Sequence, residues 1–146
     1  MKIIIPKNKN DFNLYYDFRW QKLRKNLNKP KGTEKDSLED ESYHLMLMEN
    51  NKVIGVGRIH FIINNLNKKA QIRYMAIDEN FQNRGYGSLL LLELEKIAFK
   101  NNVSYVFLHA RENAINFYLK NNYKKNKKSH LLFNSIQHWL MDKKYE

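Results

Sequence analysis

The stretch QNRGYGSLLLLELEKIAF, Gln82 to Phe99, decides how the rest of the chain is read. Two closely spaced glycines, Gly85 and Gly87, precede leucines at positions 89 to 92 and 94, then Ile97 and Ala98, a spacing that predicts an apolar helix over Ser88 to Lys100. Just before them AQIRYMAID, Ala70 to Asp78, reads as a strand. A strand, a short connection and a helix start leave several backbone N–H groups without partners. Together with the positive end of the helix dipole, these groups make an anion site. Glycine lets a phosphate approach the backbone closely, and Arg84 adds a fixed charge. The loop Gln82, Asn83, Arg84, Gly85, Tyr86, Gly87 and Ser88 is therefore suited to a phosphate, above all a pyrophosphate. A plain turn before a helix can also carry two glycines. The loop is not a P-loop, because no Gly-Lys-Ser/Thr follows, and no acidic residue stands where a Rossmann ribose contact needs one.

Working outward, IIIP (Ile3 to Pro6) reads as a first strand. A helix capped by Asp11 follows, with apolar residues at Phe12, Tyr15, Tyr16, Trp20, Leu23 and Leu27. NKPKGTEKDSLEDES is a polar loop containing Pro30, Gly32 and one acidic helical turn. HLMLMEN and VIGVGRIHFII, separated by a tight turn, lead through NNLNKK into the strand ending at Asp78, giving three successive antiparallel strands. Beyond the leucine helix, VSYVFLHA (Val103 to Ala110) reads as a strand buried on both faces. RENAINFYLKNNY reads as a helix with Ala114, Phe117 and Tyr118 on one side, and HLLF and HWLMDK as two closing strands. The class is α+β, one domain over residues 1–146, a mixed and mostly antiparallel sheet with helices on its faces.

The 146 residues include no cysteine, which removes disulfides, thiolate metal sites and a cysteine nucleophile together. No apolar run approaches the ~20 residues of a membrane span, and the apolar part of the N-terminus is too short for a signal peptide, so a cytoplasmic protein without membrane association is expected. The formal charge of +11 invites an anionic partner, yet lysine and asparagine are scattered along the whole chain. Only YKKNKK, Tyr123 to Lys128, is dense, and such a run is most often a solvated strand end or turn. No nucleic-acid reading motif accompanies the charge, and no nucleic-acid partner is expected. The histidines have no ligand company close in sequence, so no metal is expected.

MAIDENFQNRGYGSLLL resembles the acyl-CoA signature of the Gcn5-related N-acetyltransferases (GNAT), matched at Gln82, Gly85 and Gly87. LHARENAINFYLKNNY is similar to the later strand and helix of that family, matched at Ala114, Phe117 and Tyr118. The first helix, GVGRIH, QIRYMAID and HWLMDK further resemble the acetyltransferase half of two-domain bacterial proteins whose second, thioesterase-like hot-dog domain has no counterpart in this sequence. The resemblance implies a GNAT-like sheet with splayed central strands. It also implies that backbone groups of Met75, Ala76 and Ile77 bind pantetheine and aim an N–H at the thioester oxygen. Phe117 and either Arg111 or Asn113 would complete the acetyl-CoA contacts. Arg111 stands where many relatives have asparagine, while Asn113 directly precedes Ala114, so the choice between them stays open.

The implied activity is transfer of an acetyl or short acyl group from acyl-CoA to an amine, by direct attack and without a covalent acyl-enzyme. Tyr118 is the candidate acid for the leaving thiolate, since its phenol is protonated at neutral pH. His109 is the candidate base, with Glu112 close by and His44, His60 and His138 as others able to reach the acceptor side. Arg19, Arg24 and the segment from Lys31 to Asp40 are expected to shape that side. The acceptor is a small-molecule or protein amine. An acidic carrier protein, steered by Arg84, Lys124, Lys125, Lys127 and Lys128, is a further candidate, as is transfer to a carrier thiol. A non-catalytic module binding CoA or an acidic partner is the alternative, and a homodimer is allowed.

Overall fold

The computed structural model describes residues 1–145. Strands β1 (Lys2–Ile4), β2 (Tyr43–Glu49), β3 (Lys52–Asn64), β4 (Asn67–Ile77), β5 (Tyr105–Arg111), β6 (Lys124–Leu132) and β7 (Ile136–Lys144) form one sheet in the order β1-β2-β3-β4-β5-β7-β6. Helices α1 (Lys9–Leu23), α2 (Tyr86–Lys100) and α3 (Ile115–Lys120) connect them. All neighbouring strands are antiparallel except β4 and β5, which are joined through α2 and run parallel.

Strand alternation decides the two layers. Leu45 and Leu47 of β2 face α2 and pack with Leu90, Leu91, Leu94 and Ala98 in the larger core. Met46, between them, faces the other way and packs with Tyr15 and Phe18 of α1. The β2–β3 hairpin turns on Asn50 and Asn51, both at positive φ (52° and 63°), as a two-residue hairpin loop favours.

Several expectations are corrected. The N-cap of α1 is Asn8, whose side chain accepts the N–H of Asp11; Asp11 in turn accepts the N–H of Lys7, so the carboxylate sits inside the first turn. The strand from Val103 is not buried on both faces. Val106, Leu108 and Ala110 are buried, but Tyr105, Phe107, His109 and Arg111 are only partly covered, because the core built with α2 covers one face of β5 only. The YKKNKK lysines open β6 as its solvated first half, Lys124 to Lys128, on the exposed edge of the sheet, where charge discourages pairing with a second chain.

The feature that positions the site is a divergence. β4 pairs with β5 only through Ala70–Ile72 and Val106–Leu108, after which Arg73–Ile77 and His109–Arg111 separate. β3 bonds one side of β4, and β7 bonds the far side of β5, so the wedge between them has unpaired strand edges. At its start the β3–β4 register shifts, and Tyr74 takes φ 58°, an uncommon conformation for an aromatic residue.

Candidate functional site

The loop at the mouth of the wedge is laid out as its glycines suggest. Asn83 (φ 63°) and Gly85 (φ 84°) both take left-handed conformations, and Gly85 caps α2 with no side chain over the helix end. The first helical bond is from the N–H of Leu89 to the Gly85 carbonyl. Among the described residues, none of the N–H groups from Asn83 to Ser88 donates a hydrogen bond within the protein. Successive free amides at a helix N-terminus form an anion cradle. Arg84 lies over the Phe81 ring at 5.2 Å, exposed beside the cradle, and Gln82 folds back to donate to the Ile77 carbonyl at 3.1 Å. The two glycines act differently. A Cβ on Gly85 would meet nothing within 4 Å, whereas one on Gly87 would lie 2.9 Å from Phe117 Cε1. Gly87 is bare so that α3 can pack against the first turn of α2.

That packing brings Phe117 to the glycine loop, with the Tyr118 ring 5.0 Å from the Phe117 ring. Tyr118 is buried in the larger core against Tyr123, and burial pushes its phenol well above the usual range. Among the described residues its hydroxyl has no hydrogen-bond partner. Met75, Ala76 and Ile77 form the free end of β4. Asn113 lies in the turn before α3, while the Arg111 guanidinium reaches across to the Leu23 carbonyl at the end of α1, at 3.0 Å.

His109 projects from the open face of β5. Its Nδ1 is buried without a partner, and its ring lies 5.4 Å from that of His130, which stacks on His138 at 4.5 Å. Burial, His130 and Arg73 lower the His109 pKa, so the imidazole is neutral at pH 7. His138 is pushed down to about 4 by burial; its Nδ1–H donates to the Ile136 carbonyl. The other two histidines are committed. His44 donates from Nε2 to the Glu39 carbonyl and accepts the Tyr15 hydroxyl at Nδ1, both at 2.8 Å. His60 Nδ1 takes an Arg58 N–H at 3.2 Å.

Tertiary structure also brings carboxylates to the middle of β4 from a distant part of the chain. The loop after α1 carries Asp36 and Glu39 against the sheet. Arg58, fully buried, holds both, at 2.6 Å and 2.8 Å; Arg73 binds Asp36 at 2.8 Å and Arg19 binds Glu39 at 2.9 Å. These arginines hold the Asp36 carboxyl well below the usual carboxylate range, against the opposing effect of burial. The guanidiniums of Arg19, Arg73, Arg58 and Arg24 lie 4.3, 4.5, 5.0 and 5.7 Å from the Tyr74 ring, so the strained residue at the fork is packed on all of them. The only sequence signal for this cluster is the acidic turn in an otherwise basic chain.

Among the described residues no group of three or more His, Cys, Asp or Glu side chains could hold a metal ion, and no helix is long and apolar enough to cross a membrane. The arrangement can do three things: cradle phosphates, extend a peptide-like ligand along free strand edges, and set a buried phenol and a neutral imidazole beside the wedge.

The chain is similar over its whole length to known proteins. The uncharacterized N-acetyltransferase YjcF of Bacillus subtilis (strain 168) is 27% identical over 143 residues, 98% of this chain and 99% of the relative. Escherichia coli ElaA superposes with a TM-score of 0.80 at 16% identity, over 98% of this chain and 99% of the other. An aminoglycoside 6'-N-acetyltransferase complexed with coenzyme A gives 0.79 at 12% identity, over 99% and 97%. The model of the acetyltransferase (GNAT) family matches residues 6–123. A wedge between parallel strands, a bare amide cradle and a match over most of the chain lead to one assignment: the protein belongs to the acetyltransferase (GNAT) family and is an acetyl-CoA-dependent N-acetyltransferase.

Proposed function

We propose that the protein transfers an acetyl group from acetyl-CoA directly to an amine in a ternary complex, with no acyl-enzyme. The observation that carries this reading is the wedge ending at the amide cradle. Pyrophosphate on Asn83–Ser88 directs pantetheine between β4 and β5, where it adds to the free edge of Met75, Ala76 and Ile77. An N–H there polarises the thioester carbonyl. Asn113 rather than Arg111 is the side chain suited to pantetheine, since Arg111 is engaged with α1. Alternation on β5 puts His109 on the face opposite Leu108 and Ala110, which share a core with Tyr118. The two groups thus flank the wedge from its two faces: the neutral His109 accepts a proton from the incoming ammonium, and Tyr118 meets the departing sulfur.

Burial refines the second role. A phenol with a raised pKa cannot easily protonate a thiolate whose own pKa is about 8.5, but it remains protonated and donates a hydrogen bond to it. The test is steady-state kinetics with acetyl-CoA and a panel of primary amines, together with intact-mass measurement after acetyl-CoA alone. Intersecting double-reciprocal lines and no added 42-Da mass (about one acetyl group) are expected. Parallel lines with an acetylated protein would replace direct transfer by a covalent route.

A further inference from the structure

Arg24 follows the last residue of α1 and is 4% exposed. Its Nε donates to the Thr33 carbonyl and one terminal nitrogen to the Leu23 carbonyl, each at 3.0 Å. From the end of β5, Arg111 donates to the same Leu23 carbonyl, again at 3.0 Å. Two guanidiniums from opposite walls of the cleft therefore meet on one neutral oxygen. Carbonyls orient such groups without cancelling their charge. Among the described residues no carboxylate comes within ion-pair distance of either, in contrast to Arg19, Arg58 and Arg73, which all have acidic partners. Glu34, the acid whose field reaches Arg24, accepts the Gly32 N–H at 2.6 Å. Burial lowers the pKa of both arginines, joined at Arg24 by repulsion from Arg73 and Arg19 and at Arg111 by repulsion from Arg24.

Like charges held together out of water are unfavourable unless an anion joins them. The surroundings suit one. The Phe133 ring, from the β6–β7 turn, lies 5.4 Å from the Arg24 guanidinium and 4.4 Å from Lys29 Nζ, so aromatic surface and further positive charge stand beside the pair. Its place in the fold separates it from the cofactor's phosphate cradle. Arg111 shares the open face of β5 with His109, whereas α2 and its bare amides belong to the layer on the other face. Planar guanidiniums are matched by the oxygens of carboxylate or phosphate.

We propose that Arg24 and Arg111 form a docking site for an anionic group on the acceptor, so that the substrate is a primary amine that also carries a carboxylate or a phosphate. The proposal rests on the acetyltransferase reading above. It is tested by calorimetric titration of the CoA-loaded protein with matched pairs: β-alanine against 3-aminopropanamide, and O-phosphoethanolamine against ethanolamine. In at least one pair the anionic member should bind about tenfold tighter or more. The pair that responds tells carboxylate from phosphate. Arg24→Gln and Arg111→Gln should each bring that ratio close to one, while Arg24→Gln leaves CoA affinity within about twofold. Should Arg24→Gln fail to fold, the less buried Arg111→Gln carries the comparison. The proposal is overturned by ratios near one in the unaltered protein, by no anionic probe binding below about 10 mM, by a ratio that survives substitution, or by a loss of CoA affinity in Arg24→Gln, which would assign the charge to the cofactor. Equilibrium binding needs no turnover. Failure of acetyl transfer to every amine would therefore count against the acetyltransferase reading alone.

Discussion

Tyr118 packs its ring into the larger core, and among the described residues its hydroxyl is tied to no hydrogen bond within the protein, which leaves it free to meet a ligand. Tyr118→Phe keeps the ring and removes the donor, so kcat should fall by about 10²-fold while the acetyl-CoA dissociation constant changes little. Because burial raises this pKa, no loss of kcat attributable to Tyr118 should appear below about pH 10. Equal turnover in the two proteins would reduce the residue to packing. The glycines differ in the same concrete way. Gly87→Ala drives a methyl against Phe117 and should cost about 1–3 kcal/mol of folding stability, relieved when Phe117 is shortened to Leu in the same chain. Gly85→Ala has room, and its cost is the left-handed backbone, about 1 kcal/mol, which shortening Phe117 cannot relieve. Unfolding free energies of the singles and the double mutant separate the two.

At the scale of the element, β4 changes partners partway along its length. Over Ala70–Ile72 it has neighbours on both sides, and beyond Tyr74 only on one. Amide hydrogen exchange followed by NMR should show fast exchange for the amides of Arg73–Ile77 that face the wedge. Saturating CoA should slow them, while Ala70–Ile72 stays protected throughout. No slowing within Met75–Ile77 would mean that the cofactor does not add along this strand. The turns follow a simpler rule. Among the described residues, eight of the ten non-glycine positions at positive φ are asparagines, including Asn122, just past the Asn121 cap of α3, where its N–H bonds back to the Leu119 carbonyl. The abundance of asparagine, read from composition as bias, is therefore partly conformational.

For the whole molecule, all five histidines have pKa values below the ordinary value, in each case with burial as the first cause. A depressed folded-state pKa means that the unfolded chain takes up protons first as pH falls. This contribution to stability is complete above about pH 6.5 and is lost as acid is added; for His138 the loss continues down to about pH 4. His138, whose pKa falls furthest, supplies the part of this loss that extends to the lowest pH. Urea unfolding at pH 7, 5.5 and 4.5 should show the decline, and His138→Gln should make it shallower; an unchanged slope would remove His138 as a cause. Local order along the chain was enough to reveal most of the architecture: the glycine loop before a leucine helix, the hairpin asparagines, and the Ala114, Phe117 and Tyr118 face of the later helix are patterns of neighbours a few residues apart. The bare amide cradle, proposed above as the CoA end, was legible for the same reason, because it needs only a loop and a helix start. The acceptor end was not. Asp36 meets Arg58 and Arg73, Glu39 meets Arg19, and Arg24 meets Arg111 on the Leu23 carbonyl, each across separations that no periodicity records. Nor does composition distinguish a paired charge from an unpaired one. Only the folded packing of α1 and its loop against the forked sheet does that, because burial and proximity, the two quantities that determine what a charge does, are properties of tertiary structure.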